Sequence, residues 1–166
     1  MSREDQPITS ILFVCMGNIC RSPLAEGVMR QHLRELGLLE RVVLDSAGTH
    51  GYHEGAAPDE RAQAAALRRG IDISDLRARL VVREDFQRFD LILAMDEDNL
   101  ELLQKMAAAE LRGKARLLMD YAAGDAGRSV PDPYYGGPIG FERVLDMVEE
   151  AVDGLLARLQ AELRTP

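Results

Sequence analysis

Short apolar runs alternate along the chain with longer stretches of helical period. Ile11-Leu12-Phe13-Val14, Val42-Val43-Leu44, Leu91-Ile92-Leu93-Ala94-Met95 after Asp90, and residues 115–119 read as four buried strands. Between them, Leu24, Ala25, Val28, Met29, Leu33 and Leu36 recur at three- and four-residue spacing, after Ser22-Pro23 and before Gly37, a helix with a start and a stop. Pro58-Asp59-Glu60 opens a second helix, closed by Arg68-Arg69-Gly70. Asp96 opens a third, running to about Leu111 and stopped near Gly113. Phe141, Val144, Leu145, Val148, Val152, Leu155, Leu156 and Leu159 give the last helix the clearest period. Strands alternating with helices predict right-handed crossovers and an α/β fold, a three-layer α/β/α arrangement around a four-stranded parallel sheet. Ligands of such sheets sit at the carboxyl ends of the strands, where residues 15–22, 46–54 and 129–137 form unusual loops.

Composition narrows this little. The 166 residues, 46% hydrophobic and 29% charged, suit a single domain spanning 1–166, with residues 1–9 polar and expected to be loose. No apolar run reaches bilayer length and no secretory signal pattern opens the chain, so neither a membrane nor export is expected. A net charge of −8 argues against nucleic acid as a partner. Two cysteines, Cys15 and Cys20, are too few for a disulfide framework or a zinc finger, and a reducing cytoplasm is the expected compartment.

Both thiols fall in the segment Cys15-Met16-Gly17-Asn18-Ile19-Cys20-Arg21-Ser22, which leaves a strand and feeds a helix. Gly17 and Asn18 tolerate left-handed backbone angles, so successive N–H groups can turn inward, and the helix dipole adds positive potential. That describes a phosphate-sized anion site; without a Gly-Lys-Ser/Thr step it is not of the Walker type. Cys15 opens it, and helix N-termini and neighbouring cations favour the reactive thiolate. Arg21 offers a bidentate fork to phosphate oxygens, and Ser22 a hydroxyl to the sulfur. A nucleophilic cysteine inside an oxyanion cradle suits covalent phosphoryl transfer. The plainer alternative is a buried strand-end thiol beside a surface cation.

The string from Val14 to Pro23 resembles the signature of the low-molecular-weight protein tyrosine phosphatases. The resemblance continues through Asp45-Ser46-Ala47-Gly48-Thr49, Ala78-Arg79 with Glu84-Asp85-Phe86, Ala94-Met95-Asp96, Asp98-Asn99 and Asp132-Pro133-Tyr134-Tyr135-Gly136. It implies a phosphatase domain with a four-stranded parallel sheet, no metal, no cofactor, and a phosphocysteine intermediate on Cys15. It implies that Asp132 is the general acid and base; flanking prolines stiffen it, and Tyr134 and Tyr135 are expected to shield it partly from water. Tyr134 and Tyr52 are implied as facing walls of a slot deep enough for a phenyl phosphate, with Ile19 and Tyr135 also in the substrate pocket. Asn18, Ser22 and Ser46 are implied as residues that hold the loop in shape. The substrate class is then a phosphotyrosine-containing protein, acted on by a monomer.

Some residues keep two readings. Several members of that family carry a His where this chain has Asp75, which either brings negative charge to the loop or accepts from Asn18. Asp96 is an N-cap or a partner of the site. Cys20 is an apolar filler or the thiol that resolves an oxidised Cys15. His50 and His53 with Glu54 read as solvated polar residues before metal ligands. Residues 77–83 read as a solvated arginine patch, from which Arg77 or Arg79 could attract acidic substrate flanks. Protein arginine phosphatases share the cysteine–arginine loop; Ile19, where they are expected to carry Thr, and the aromatic pair favour phosphotyrosine. Arsenate reductases of this fold need a downstream cysteine pair, and none follows Cys20. A catalytically dead phosphate-binding module is disfavoured by Cys15, Arg21 and Asp132 together.

Overall fold

The computed structural model describes residues 8–123, 128–134 and 138–163. Four parallel strands, β1 (Ser10–Cys15), β2 (Val43–Gly48), β3 (Leu91–Ala94) and β4 (Ala115–Leu117), lie in the order β2-β1-β3-β4. The helices are α1 (Arg21–Glu35), α2 (Glu60–Leu67), α3 (Asp85–Arg88), α4 (Glu97–Met106) and α5 (Pro138–Leu163). The pleat splits β1 between two cores. Ile11, Phe13 and Cys15 face the layer of α1, α2 and α5, and Leu12 and Val14 face Phe86, Phe89 and Leu103. The three-layer α/β/α arrangement is the expected one, and the N-terminal unit is strand, loop, helix. Among the described residues no helix is long and apolar enough to cross a membrane.

The chain runs from β1 out to β2, then back across β1 to β3. The reversal falls between the two central strands, so their carboxyl ends open into a crevice. The loop after β1 therefore occupies the topological switch point.

Several boundaries differ from the sequence reading. Strand β2 extends to Gly48, so Ser46 sits in the sheet and the following loop starts at Thr49. Helix α1 starts at Arg21, so Ser22 lies inside its first turn and does not cap it. Helix α4 ends at Met106, where Ala107 turns extended; a 3-10 segment, Ala109–Lys114, covers the rest of the expected helix. Strand β4 stops at Leu117 before another 3-10 turn. Helix α5 begins three residues earlier than expected, and α3 was not foreseen at all.

Ile8 and Thr9 are not loose. Ile8 is buried, and Thr9 donates its N–H (2.9 Å) and hydroxyl (3.1 Å) to Asp90, joining the starts of the two central strands. Residues 1–7 and Tyr135 lie outside the described residues. The arginine patch is also not wholly solvated. Arg79 grips the fully buried Asp85 through two bonds of 3.0 Å and Asp45 at 3.0 Å, pinning the segment after α2 onto the edge of β2.

Candidate active site

The loop between β1 and α1 is shaped by where its carbonyls go. Cys15 O accepts from Thr49 N (2.9 Å), Met16 O from His50 N (2.9 Å) and Ile19 O from Asp59 N (2.8 Å). Each carbonyl tied outward turns the N–H of the same planar peptide the other way, toward the cleft. Asn18 supplies the bend with φ +59°, the one positive φ of a non-glycine among the described residues.

The Asn18 side chain also fixes the direction of every hydrogen bond around it. Its Oδ1 accepts from Arg79 N (3.0 Å), so Nδ2 is the donor to Ser22 Oγ (2.8 Å) and Ser46 Oγ (3.0 Å). Ser22 Oγ thus accepts from Asn18 and keeps its own proton available for Cys15 Sγ, 3.0 Å away. Asn18 N–H reaches the same sulfur at 3.3 Å. Two donors and the N-terminus of α1 converge on a buried sulfur, which favours negative charge there.

Arg21 is 3% exposed and held at one end. Its Nη1 donates to Asp96 Oδ2 (2.6 Å) and to Val130 O (3.0 Å). Asp96 serves both purposes that were open for it. Its Oδ1 caps α4 through Asn99 N (2.7 Å) in a reciprocal capping box, while Oδ2 anchors the guanidinium. Val130 N in turn donates to Met95 O (2.7 Å), so the segment carrying Asp132 hangs from the end of β3 and from Arg21. Arg21 Nη2 lies 3.6 Å from Asp132 Oδ2.

These groups line a cleft of about 300 Å³ with Cys15, Arg21 and Gly17 deep in it and Tyr52, His53, Asp132 and Tyr134 around it. Ile19, Met16 and Cys20 also line it. Asp132 is not shielded as expected: its side chain is 42% exposed, with Oδ1 held by Tyr134 N at 3.0 Å. Tyr52 is 78% exposed and stands as an open lip, stacked on His50 at 5.4 Å, rather than as a closed wall.

One residue of the cleft and one that supports its wall escaped the sequence reading. His53, read as a solvated residue, lines the cleft; its ring packs above Gly17 and lies 6.2 Å from that of Tyr134. Arg61 donates to Tyr134 O (2.9 Å) and lies 5.5 Å from the Tyr134 ring centroid, fixing the second wall. The only signal for either was position, two residues from Gly51 or Asp59, which carries no chemistry by itself. Asp75 takes neither role considered for it. It pairs with Arg30 at 3.0 Å on the surface, and the Asn18 Nδ2 protons go to Ser22 and Ser46 instead.

Burial, and then the charges of Asp59, Cys15 and Asp132, push the Cys20 thiol well above the usual cysteine range. Cys20 therefore stays a neutral thiol.

Residues 10–165 match the low molecular weight phosphotyrosine protein phosphatase family. The low molecular weight protein-tyrosine-phosphatase of Streptomyces coelicolor is 45% identical over 156 residues, covering 92% of this chain and 94% of the relative. Among solved structures, a protein tyrosine phosphatase from Entamoeba histolytica with Hepes in the active site superposes with a TM-score of 0.88 at 41% identity. It covers 92% of this chain and 97% of its own. YfkJ from Bacillus subtilis gives 0.87 at 39% identity, covering 95% and 98%.

Gly48 is where β2 touches the loop most closely. A Cβ there falls 2.7 Å from Met16 O and 3.2 Å from the Gly17 carbonyl carbon, both backbone atoms. Gly48→Ala must displace the loop, so kcat/KM on an aryl phosphate falls about 10- to 100-fold, with a Tm loss worth about 1–3 kcal/mol. Steady-state kinetics and a melting curve check both; unchanged kinetics would show that the loop position is not set by β2.

Proposed function

The chain belongs to the low molecular weight phosphotyrosine protein phosphatase family, and we propose that it hydrolyses phosphotyrosine in proteins through a phosphocysteine on Cys15. It is a phosphoric monoester hydrolase of that family. The observation that carries the mechanism is the Cys15 sulfur, met by Asn18 N–H and the Ser22 hydroxyl at the foot of a cleft flanked by Arg21 and Asp132.

In this reading the loop amides and Arg21 take the three non-bridging phosphate oxygens. Anchoring Nη1 to Asp96 and Val130 leaves the opposite edge of the fork for the oxyanion. The thiolate attacks phosphorus in line with the phenolic oxygen; the S–P bond forms, the P–O bond breaks, and Asp132 gives its proton to the leaving oxygen. Water then loses a proton to Asp132 and attacks phosphorus, releasing phosphate and the thiolate. The 3.6 Å approach of Asp132 to Arg21 keeps the carboxyl at the cleft and close to the phosphate site. The substrate ring lies between Tyr134 and the Tyr52 lip, with Ile19 as an apolar edge.

Cys15→Ser abolishes turnover, because the hydroxyl is hardly ionised at neutral pH. Asp132→Asn slows alkyl and unactivated phenyl phosphates about 100-fold or more, and p-nitrophenyl phosphate far less, because only poor leaving groups need the proton. A leaving-group series measures this; equal slowing across it removes Asp132 from the acid role.

Substrate class is tested on matched phosphotyrosine and phosphoarginine peptides. The parent prefers phosphotyrosine by kcat/KM, and Ile19→Thr lowers that ratio by exchanging the apolar edge for a hydroxyl. A parent that prefers phosphoarginine overturns the assignment.

Cys20 is proposed as the thiol that protects an oxidised Cys15: sulfenic acid and thiol condense to a disulfide and water. Since Cys20 is held protonated, that step speeds up as pH rises. Peroxide inactivation should be reversed by dithiothreitol in the parent and much less in Cys20→Ser, with a Cys15–Cys20 bond found by mass spectrometry. Full recovery of the variant makes Cys20 filler.

A further inference from the structure

Arg61 joins parts of the cleft that no strand or helix connects. It stands in the first turn of α2, just after Asp59, the N-cap of that helix. Its guanidinium grips the Asp59 carboxylate twice, Nε to Oδ1 at 3.1 Å and Nη2 to Oδ2 at 3.0 Å. The same Nη2 donates to Tyr134 O at 2.9 Å. The flat cation lies 5.5 Å from the centroid of the Tyr134 ring and 4.9 Å from that of Phe141, which is fully buried on α5. Asp59 in turn gives its N–H to Ile19 O at 2.8 Å, within the loop that Cys15 opens. A continuous path therefore runs from that loop, through Asp59 and Arg61, to a residue that walls the cleft.

We propose that Arg61 is a positioning residue that makes the site selective for aryl over bare phosphate: it holds the Tyr134 ring at a fixed distance from the anion loop. An ion pair this open to solvent, with the Arg61 side chain 41% exposed, adds little to stability. Its contribution is geometric. A bidentate fork fixes the guanidinium plane, and the ring and carbonyl of Tyr134 are then fixed relative to that plane. Tyr134 needs such a tether because it lies outside any strand or helix. Released from Arg61, its ring takes up orientations that do not stack on a substrate ring. The groups that hold the phosphoryl oxygens, Arg21 among them, keep their own anchors to Asp96 and Val130.

The proposal rests on the reading of the loop as the phosphate site, so the test measures binding and not turnover. Phenylphosphonate and inorganic phosphate are titrated by calorimetry at one pH into the parent, Arg61→Met, Arg61→Lys, Tyr134→Ala and the Arg61→Met, Tyr134→Ala double variant. The readout is the ratio of the two affinities; both ligands are anions of similar charge, so the effect of a lost cation cancels in it.

Arg61→Met keeps a long stem beside Phe141 and the backbone cap bond from Arg61 N to Asp59 Oδ1 (2.8 Å), so its Tm stays close to the parent's. Its ratio falls about three- to tenfold, chiefly through weaker phenylphosphonate binding. Arg61→Lys keeps the charge but not the fork, and its ratio falls as well. In the Tyr134→Ala background, Arg61→Met changes the ratio no further. A ratio that stays at the parent's value in Arg61→Met overturns the proposal. So does full rescue by Lys, which would leave charge as the cause, or an Arg61→Met effect that persists without the Tyr134 ring. If the ratios behave as expected while the parent fails to turn over phosphotyrosine peptides, the phosphatase reading fails and the role of Arg61 stands.

Discussion

A single side-chain amide decides the polarity of the whole site. Asn18 is bent into the left-handed region by the turn it occupies and is held there by four polar partners: the Arg79 N–H, two serine hydroxyls and the Cys15 sulfur. Because an amide has one acceptor oxygen and a two-hydrogen donor, fixing the oxygen fixes everything beyond it. The Ser22 proton has nowhere better to go than the sulfur. A strained backbone angle costing of order 1–3 kcal/mol is offset by this network, and the same network makes the sulfur an acceptor.

The Arg79 N–H that sets this polarity comes from a segment far along the chain, and that segment is itself clamped. Arg79 spends its guanidinium on Asp45 and the buried Asp85, so its backbone arrives at Asn18 as a rigid donor. On the other side of the cleft, Arg21 ties the start of α1 to the cap of α4 and to the loop that presents Asp132. Two arginines, the buried Arg21 and the half-buried Arg79, thus tie together strand ends that a parallel sheet leaves apart, one reaching Asn18 and one beside Asp132.

Much of this was legible from the sequence because local chemistry and global pattern agree. The alternation of apolar runs with helical periods gave the sheet and its layers, and the Gly17-Asn18 bend before α1 marked the anion loop. The errors have common causes. Ser46 was assigned to a loop because the apolar run ends at Leu44; the strand continues because Ser46, Ala47 and Gly48, all buried, pair in register with Phe13, Val14 and Cys15. Arg79 looked like a solvated cation, since one carboxylate it meets, Asp45, lies on another element 34 residues away. Asp132 was expected to be shielded by its aromatic neighbours, but its side chain is largely open to solvent and is met by the Tyr134 backbone N–H. Such long-range pairings leave no trace in composition or period.

Cys15 is the last residue of a central strand, paired in register with Gly48 on one side, while Val14 before it pairs with Ala94 on the other. A slip of β1 by one residue would turn the sulfur to the opposite face of the sheet and bury it among Phe86 and Leu103. With Cys15 in the proposed role, turnover becomes a direct readout of strand alignment. In a refolding experiment, recovered activity would count only molecules with the central ladder in its native register, including those that far-ultraviolet circular dichroism cannot tell from misaligned ones.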